Sequence, residues 1–299
     1  MQIPEFTNII HYAIPFFIAT VIIEVLVTVK VKIKNYEFKD AATSIMMGLG
    51  NVFIGLLAKG LVLSTFYWVY NSVHLFSIPF VWWSWILLFF AEDLSYYWFH
   101  RVSHTNRFFW ASHVVHHSSQ KYNLSTALRQ TWTGSFTSFV FWIPLVLIGF
   151  HPVMILFQMS ISLLYQYWIH TELITKLPKW FETLFNTPSH HRVHHATNPQ
   201  YLDRNHAGIL IIWDKLFGTF EPEIEKPTYG LVKNIDTYNP IKVAFIEWVY
   251  LFRDTFTSKT NLINRIKYVF KPPGWKHDGT GVLSTDLRKA WKAQKKGKE

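Results

Sequence analysis

Five long apolar segments constrain the fold of this chain more than any other feature of its sequence. They cover residues 9–29, 41–70, 78–99, 133–150 and 152–169. A helix needs about 20 apolar residues to cross the hydrocarbon core of a bilayer. Half of the residues are hydrophobic and 18% are aromatic, which is typical of membrane proteins. The predicted fold is therefore all-α, a polytopic membrane helical bundle with about five membrane segments.

The second and fourth segments are irregular. Lys59 interrupts residues 41–70, so this segment is predicted to be either tilted or divided into two half-helices. Residues 133–150 and 152–169 are short and meet at Gly149 and Pro152, a pair that is typical of a tight turn. They are predicted to form a helical hairpin.

Basic residues predict the orientation of these segments. Lys30, Lys32, Lys34 and Lys39 crowd the loop after the first segment, which indicates that this loop is cytoplasmic. Alternation then places the turns after the second and fourth segments outside, and neither contains Lys or Arg. The predicted location is a multi-pass integral membrane protein of a bacterial inner membrane or the endoplasmic reticulum. The formal net charge of +10 then favours anionic lipid headgroups, rather than nucleic acid, as the acidic partner.

The predicted organisation has three parts. Residues 1–89 hold N-terminal membrane helices, residues 90–222 a core that carries clusters of histidines, and residues 223–299 an amphipathic helix and a basic tail. Residues 173–185 and 241–270 read as helices lying at the membrane surface, and the Lys-rich tail from Arg288 is expected to be disordered. Met1–Asn8 lacks the basic region of a cleavable signal peptide.

Fifteen histidines are present, and most of them fall into clusters with helical spacing. Residues at i, i+3 and i+4 share one face of a helix, so each cluster can direct several imidazoles at one point. Neutral imidazole binds iron, zinc, copper and nickel, and this many imidazoles suit two ions better than one. The predicted metal ligands are His100, His104, His113, His116, His117, His170, His190, His191, His194 and His195.

The orientation predicted above places these ligands together. His100 and His170 stand where the third and fifth segments leave the bilayer on its cytoplasmic side. His206 is predicted to be either a further ligand or a neighbour of the ligands. His11, His74, His151 and His277 read as ordinary residues of the membrane interface.

The chain contains no cysteine, which excludes disulfides, thiolate zinc sites and iron–sulfur clusters. Redox chemistry at the histidines would therefore take its electrons from an external donor.

Two other classes of protein also use histidine. A metal transporter would place ligands near the middle of the membrane, where this chain has no His and only Lys59 is charged. A zinc metalloprotease would need a His-Glu-x-x-His helix, which the sequence lacks. A metal-transporting membrane protein stays open as the alternative to an enzyme.

The sequence motifs around the histidines resemble those of a known family. The motifs are YYWFHR at 96–101, HHSS at 116–119, YNLSTALRQ at 122–130, NTPSHHRVHH at 186–195 and IIWDKLFGTF at 211–220. They are similar to the fatty acid hydroxylase/sterol desaturase superfamily of membrane di-iron enzymes, and within it to the glyceryl-ether branch. Thr105 and His206 depart from that branch, which usually has Glu and Tyr there.

This resemblance implies a di-iron monooxygenase that uses O2 to hydroxylate a lipid C–H bond, with cleavage of ether glycerolipids as the leading reaction. A fatty acyl, aminolipid or sterol hydroxylase or desaturase of the same superfamily stays open. It also implies two iron ions, a lipid substrate in the membrane and a tetrahydropterin as the external reductant. All the predicted ligands except His190 are predicted as catalytic.

Charged residues near the clusters have predicted roles as well. Five carboxylates are candidates to orient the imidazoles: Glu92, Asp93, Glu172, Asp203 and Asp214. Arg101, Arg129 and Arg192 are predicted either to hold lipid phosphate or to act as positive-inside residues.

Overall fold

The predicted all-α class is confirmed. The computed structural model describes residues 9–297, with side chains from Tyr12 onward, and every regular element in that range is helical. Two isolated antiparallel bridges, Phe185 with Leu210 and Ala196 with Tyr229, are its β-type pairings. The predictions for Met1–Asn8 and for the His11 side chain lie outside the described residues.

The first two helices of the described chain are the candidate membrane spans. Helix α1 is Ile9–Lys30 and helix α2 is Phe38–Val73, and both are long and apolar enough to cross a bilayer. Large side chains such as Phe16, Phe53 and Leu57 are 60%, 73% and 75% exposed on their surfaces. Exposed apolar area on this scale is typical of a surface that faces lipid.

Helix α2 is continuous, which excludes the division into two half-helices. Its 36 residues rise about 54 Å at about 1.5 Å each, well beyond the ~30 Å of a hydrocarbon core. A tilt, or extension beyond the hydrocarbon core, accommodates this length. Lys59 lies on its exposed surface.

Six helices follow α2 in the chain and build the centre of the molecule. They are α3 (Trp82–Thr105), α4 (Arg107–His117), α5 (Leu124–Ala127), α6 (Gly134–Ser138), α7 (Ile143–Ile148) and α8 (Pro152–Trp168). Helices α2, α3, α7 and α8 enclose the largest apolar cluster, whose members include Phe66, Leu88, Val146, Met154 and Ile155.

The other three predicted membrane segments correspond to α3, to the group from α6 to α7, and to α8. None of them passes as a candidate span by length and composition within the described chain. The fourth segment was predicted to be one helix but is divided, because a 3-10 turn at Phe139–Phe141 separates α6 from α7. The count of five crossings therefore stays a prediction.

The hairpin between α7 and α8 is confirmed, and Gly149 explains it. Its φ of +119° lies in a region that favours glycine, and an added Cβ would collide with the carbonyl oxygen of Phe76. The Leu75 amide donates to the Leu147 carbonyl at 2.8 Å, so the two backbones are in close contact here. His151 then accepts from the Val153 amide at the start of α8.

Six helices complete the described chain. They are α9 (Lys179–Leu184), α10 (Pro188–His194), α11 (Ile212–Leu216), α12 (Pro240–Thr257), α13 (Leu262–Phe270) and α14 (Ser284–Lys296).

Three predictions for this part were wrong. The helix expected at 173–185 begins only after Pro178, because a proline disfavours helical geometry in the residue before it. The helix expected at 241–270 is divided, since the Asn261 side chain caps a new helix by accepting from the Asn264 amide. The basic tail is not disordered: it forms α14, which packs one face on the protein and exposes its lysines.

A buried ion pair ties α2 to the chain segment that follows α4. Arg129 is 2% exposed, and its Nη1 lies 3.4 Å from Oδ1 of Asp40 in α2. Its Nε donates to Ser118 Oγ at 2.9 Å and to the Val115 carbonyl at 3.2 Å. Arg129 therefore links these two parts of the fold from inside the protein. This corrects the prediction that Arg129 binds lipid phosphate or acts as a positive-inside residue.

Replacing Arg129 with Leu should destabilise the protein strongly. The change leaves the Asp40 carboxylate buried without its cation, and breaking a buried pair in this way costs about 3–5 kcal/mol. The apparent melting temperature in detergent should fall by several degrees. The exposed Lys59→Ala is the control and should melt like the wild type; an Arg129→Leu protein that also melts like the wild type would contradict this role.

Candidate metal centre

Two groups of histidines lie side by side in the interior, where three helices and the end of α8 meet. The first group is His100, His104, His113, His117 and His194, and the second is His116, His170, His191 and His195. Within each group, one ring nitrogen of every member lies within 4.8 Å of those of the others. The structure thus brings nine of the ten predicted ligands together.

The doubled histidines of the sequence divide between the two groups. On α4, His117 joins His113 in the first group, whereas His116 belongs to the second. At the end of α10, His194 belongs to the first group and His195 to the second. Neighbouring residues on a helix point about 100° apart, because one turn takes 3.6 residues. One short helix can therefore supply ligands to two adjacent centres.

The Nε2 atoms within each group have the separations of ligands around one ion. In the first group, His100 and His113 are 2.9 Å apart, and His194 and His117 are 3.1 Å apart. In the second, His170 lies 3.2 Å from His116 and 3.0 Å from His191. Two nitrogens each about 2.1 Å from a metal and at right angles to one another are about 3.0 Å apart.

Backbone carbonyls fix the direction of the imidazole lone pairs. Four rings place Nδ1 against a carbonyl oxygen: His100 against His206 at 2.8 Å, His194 against Arg204 at 2.9 Å, His170 against Gln166 at 2.7 Å and His116 against Arg129 at 3.3 Å. A carbonyl can only accept, so each Nδ1 carries the proton and each Nε2 presents a lone pair.

The contact between His116 and His170 shows that the converging lone pairs require a cation. Both donate through Nδ1, so two lone pairs face each other across 3.2 Å. That contact is repulsive unless a cation lies between the two nitrogens. The Nε2 of His104, which is buried and has no protein partner, likewise needs a ligand.

A proton is not the cation that these imidazole nitrogens bind near pH 7. Burial lowers the pKa of His116 to about 4, and burial together with neighbouring imidazoles lowers the pKa values of His191, His194 and His195 well below 6.5. These four rings are therefore neutral near pH 7, which is the form that binds metal. The donor set fits two metal ions held by imidazole nitrogen.

The five candidate carboxylates have different surroundings. Asp203 is the one of these five that contacts an imidazole of the two groups, with its Oδ1 3.5 Å from Nδ1 of His104. Glu92 accepts from the Trp142 indole at 3.2 Å, and Glu172 accepts from the Tyr229 hydroxyl at 3.2 Å. These two are not partners of the histidine rings, which corrects the prediction for them.

Asp93 and Asp214 act on the backbone instead of on the rings. Asp93 accepts from the Ile209 and Leu210 amides at 2.8 and 3.0 Å. Asp214 accepts from the His206 and Ala207 amides, both at 2.8 Å. Together they fix the loop whose His206 carbonyl orients His100.

His190 lies outside both groups. Its Nε2 is 3.1 Å from Glu182, and its Nδ1 is 3.2 Å from the Phe185 carbonyl, so neither nitrogen is free for a metal. This placement argues against the predicted ligand role. Burial alone would raise the pKa of Glu182, but hydrogen bonds from His190, the Leu177 amide and Ser189 outweigh it and lower the pKa to about 2. Glu182 was not among the predicted residues, because it lies in the separate helix α9 and its sequence position carries no spacing signal.

The remaining described histidines are not among the convergent donors, and their predicted place at a membrane interface stays a prediction. His206 is buried beside the first group, with its ring centre 5.1 Å from that of His104, but it is not one of the five convergent donors. His74, His151 and His277 lie outside both groups.

Arg101 and Arg192 are bound within the protein. Arg192 is buried and pairs with Glu223 through two hydrogen bonds of 2.8 and 2.7 Å. Arg101 donates to the Tyr97 hydroxyl at 2.9 Å. The buried ion pair of Arg192 argues against lipid-phosphate binding by that residue, whereas the two predicted roles of Arg101 stay predictions.

Two aromatic side chains that the sequence analysis did not assign pack on the ligands. Tyr122 stacks on His170, with ring centres 5.7 Å apart, and donates to the Ile169 carbonyl at 2.9 Å. Trp110 stacks on His117 at 5.8 Å. Aromatic residues are too frequent in this sequence for either to stand out.

Adjacent histidines 190 and 191 allow a direct test of the assignment. His191→Ala removes a donor of the second group and should lower bound metal from two ions to about one per chain, measured by elemental analysis. His190→Ala is the matched control and should keep both ions. Equal metal content in the two variants would contradict the assignment.

Comparisons with known proteins match the part of the chain that carries both histidine groups. The fatty acid hydroxylase family matches residues 85–219, which include both histidine groups. An alkylglycerol monooxygenase of Homo sapiens is 42% identical over 92% of this chain, and one of Danio rerio is 40% identical over 92%. The chain spans about three fifths of the length of these relatives, 61% and 60% respectively. No solved structure matches it. Residues 85–219 therefore match the fatty acid hydroxylase family, and the chain is similar to alkylglycerol monooxygenases over most of its own length.

Proposed function

We propose that this chain is a membrane di-iron monooxygenase that hydroxylates a lipid C–H bond and thereby cleaves ether glycerolipids. The observation that carries the proposal is the pair of convergent imidazole groups inside a fatty acid hydroxylase domain. The relatives named alkylglycerol monooxygenases support the choice of ether lipid as substrate.

The two histidine groups would each hold one iron ion. Iron held there would supply, with O2 and electrons, the chemistry to oxidise an unactivated C–H bond. One oxygen atom enters the carbon next to the ether oxygen, and the other leaves as water after uptake of two electrons and two protons. The resulting hemiacetal collapses to a fatty aldehyde and a glycerol.

Residues of the chain orient the imidazoles and keep bulk water away from the site. The carbonyls that accept from Nδ1 hold the imidazoles in one orientation, so the ligands do not reorganise during the reaction. The histidines of both groups are buried or nearly so, which keeps bulk water away from the centre.

The membrane placement supports a lipid substrate. We propose that α1, α2, α3, the group from α6 to α7, and α8 form five membrane segments, with the histidines at the cytoplasmic face. Helices α12 and α13 expose apolar side chains such as Phe256 at 66% and Leu262 at 71%, which suits contact with the same lipid surface. A lipid could then keep its headgroup in water while its chain reaches the site from the bilayer.

The reductant is proposed to be an external tetrahydropterin, on the strength of the family resemblance.

The experiment is mass spectrometry on membranes that contain the protein, supplied with an alkylglycerol, O2 and a tetrahydropterin. We expect a fatty aldehyde that requires the pterin and disappears in His194→Ala, which lacks a donor of the first group. His74→Ala, a histidine outside both groups, should keep the activity.

Other products would redirect the assignment. A gain of one oxygen or a loss of two hydrogens in a native lipid, without aldehyde, would move the function to a hydroxylase or a desaturase of the same family. Metal flux without any oxidised lipid would refute the enzyme and favour transport.

A further inference from the structure

One loop, residues 202–206, supplies the Nδ1 partners of three histidines in the first group. Asp203 faces His104 at 3.5 Å, the Arg204 carbonyl accepts from His194 at 2.9 Å, and the His206 carbonyl accepts from His100 at 2.8 Å. The position of this loop therefore sets the direction of three of the five imidazoles that meet there.

The backbone of this loop has an uncommon conformation. Asp203 has a φ of +51° and Asn205 has a φ of +56°, in the left-handed region that non-glycine residues adopt uncommonly, Asp and Asn more often than most. Such a conformation persists only when the surrounding structure holds it in place.

On its inner side, the loop is held by the core of the domain. The Asn205 amide group donates to the His190 and Glu221 carbonyls at 3.0 and 2.8 Å. Asp214 accepts from the His206 amide at 2.8 Å.

On its outer side, the loop is held by α14. The Ser284 hydroxyl donates to Oδ2 of Asp203, and the guanidinium of Arg288 donates to the Leu202 carbonyl at 2.6 Å. Ser284, Leu287, Arg288 and Trp291 are half-buried and share one face of the helix, whereas the lysines of the helix are exposed.

We propose that α14 is a clamp for the first histidine group, in which Ser284 and Arg288 are positioning residues that act through the 202–206 loop. Ser284 holds the Asp203 carboxylate with one oxygen toward His104, and Arg288 fixes the backbone immediately before it. Neither residue contacts a ligand ring directly. This inference rests on the proposed two-metal centre and assigns a function to the C-terminal basic segment.

The second group should be independent of the clamp, because its orienting carbonyls lie elsewhere. His170 donates to the Gln166 carbonyl within α8, and His116 donates to the Arg129 carbonyl, which the pair with Asp40 fixes. Loss of the clamp should therefore weaken one metal ion and spare the other, whereas general unfolding would release both.

The test uses the full chain in detergent and measures binding of Fe2+ by anaerobic competition with a chelator. We expect the double variant Ser284→Ala with Arg288→Ala to hold one ion about 10- to 100-fold more weakly, the usual effect of removing a group that orients a metal ligand. The second ion should keep its wild-type affinity, which also reports that the protein is folded. A His191→Ala background, weakened at the second group, assigns the loss to the first.

Two control variants separate orientation from helix stability. Ser284→Thr with Arg288→Lys retains a hydroxyl and a cation and should restore most of the affinity. Lys292→Ala changes the exposed face of the same helix and should bind both ions like the wild type.

The failures are distinguishable. A wild-type chain that binds fewer than two ions would overturn the proposed function and the clamp with it. A wild-type chain that binds two ions, with a double variant that has the same two affinities or loses both equally, would overturn the clamp alone.

Discussion

The hydrogen bond from an imidazole Nδ1–H to a backbone carbonyl is the interaction on which the rest of this site depends. A histidine side chain can rotate and can carry its proton on either nitrogen, so clustering alone does not create a ligand set. The carbonyls of Arg129, Gln166, Arg204 and His206 remove that freedom by accepting from Nδ1. The lone pairs then converge inside the protein, where a cation is the species that relieves their repulsion.

The elements that supply these carbonyls differ in how they are held. The Gln166 carbonyl lies within α8 and is positioned by the helix itself. The Arg129 carbonyl belongs to a residue whose side chain is paired with Asp40 on the long second helix. The carbonyls of Arg204 and His206 lie in a loop with left-handed residues that is held by two buried aspartates and by the C-terminal helix. The orienting carbonyls of the two histidine groups thus come from different parts of the fold, although α4 and α10 supply ligands to both.

The histidine centre and the large apolar surface belong to different parts of the fold. The nine convergent histidines lie outside α1 and α2, the two candidate membrane spans, and α1 exposes most of its side chains. Helix α2 packs with α3, α7 and α8 around the largest apolar cluster. The nine histidines lie near the C-terminal ends of α3, α4, α8 and α10.

The sequence by itself determined the helical class, the apolar segments, the turn at Gly149 and the nine histidines that meet in the interior, because periodicity and residue type are local properties. It also led to the family through motifs of adjacent residues. Only the tertiary structure decided which histidine belongs to which group, since His116 and His117 differ by one helical step that the sequence does not orient. The tertiary structure likewise separated His190, which pairs with Glu182, from His191. It also showed that Arg129 is buried in an ion pair with Asp40 and that the basic tail contacts the 202–206 loop through Arg288. The physical reason is that several of the groups beside the rings come from distant parts of the chain, as the 202–206 loop does for His100, His104 and His194.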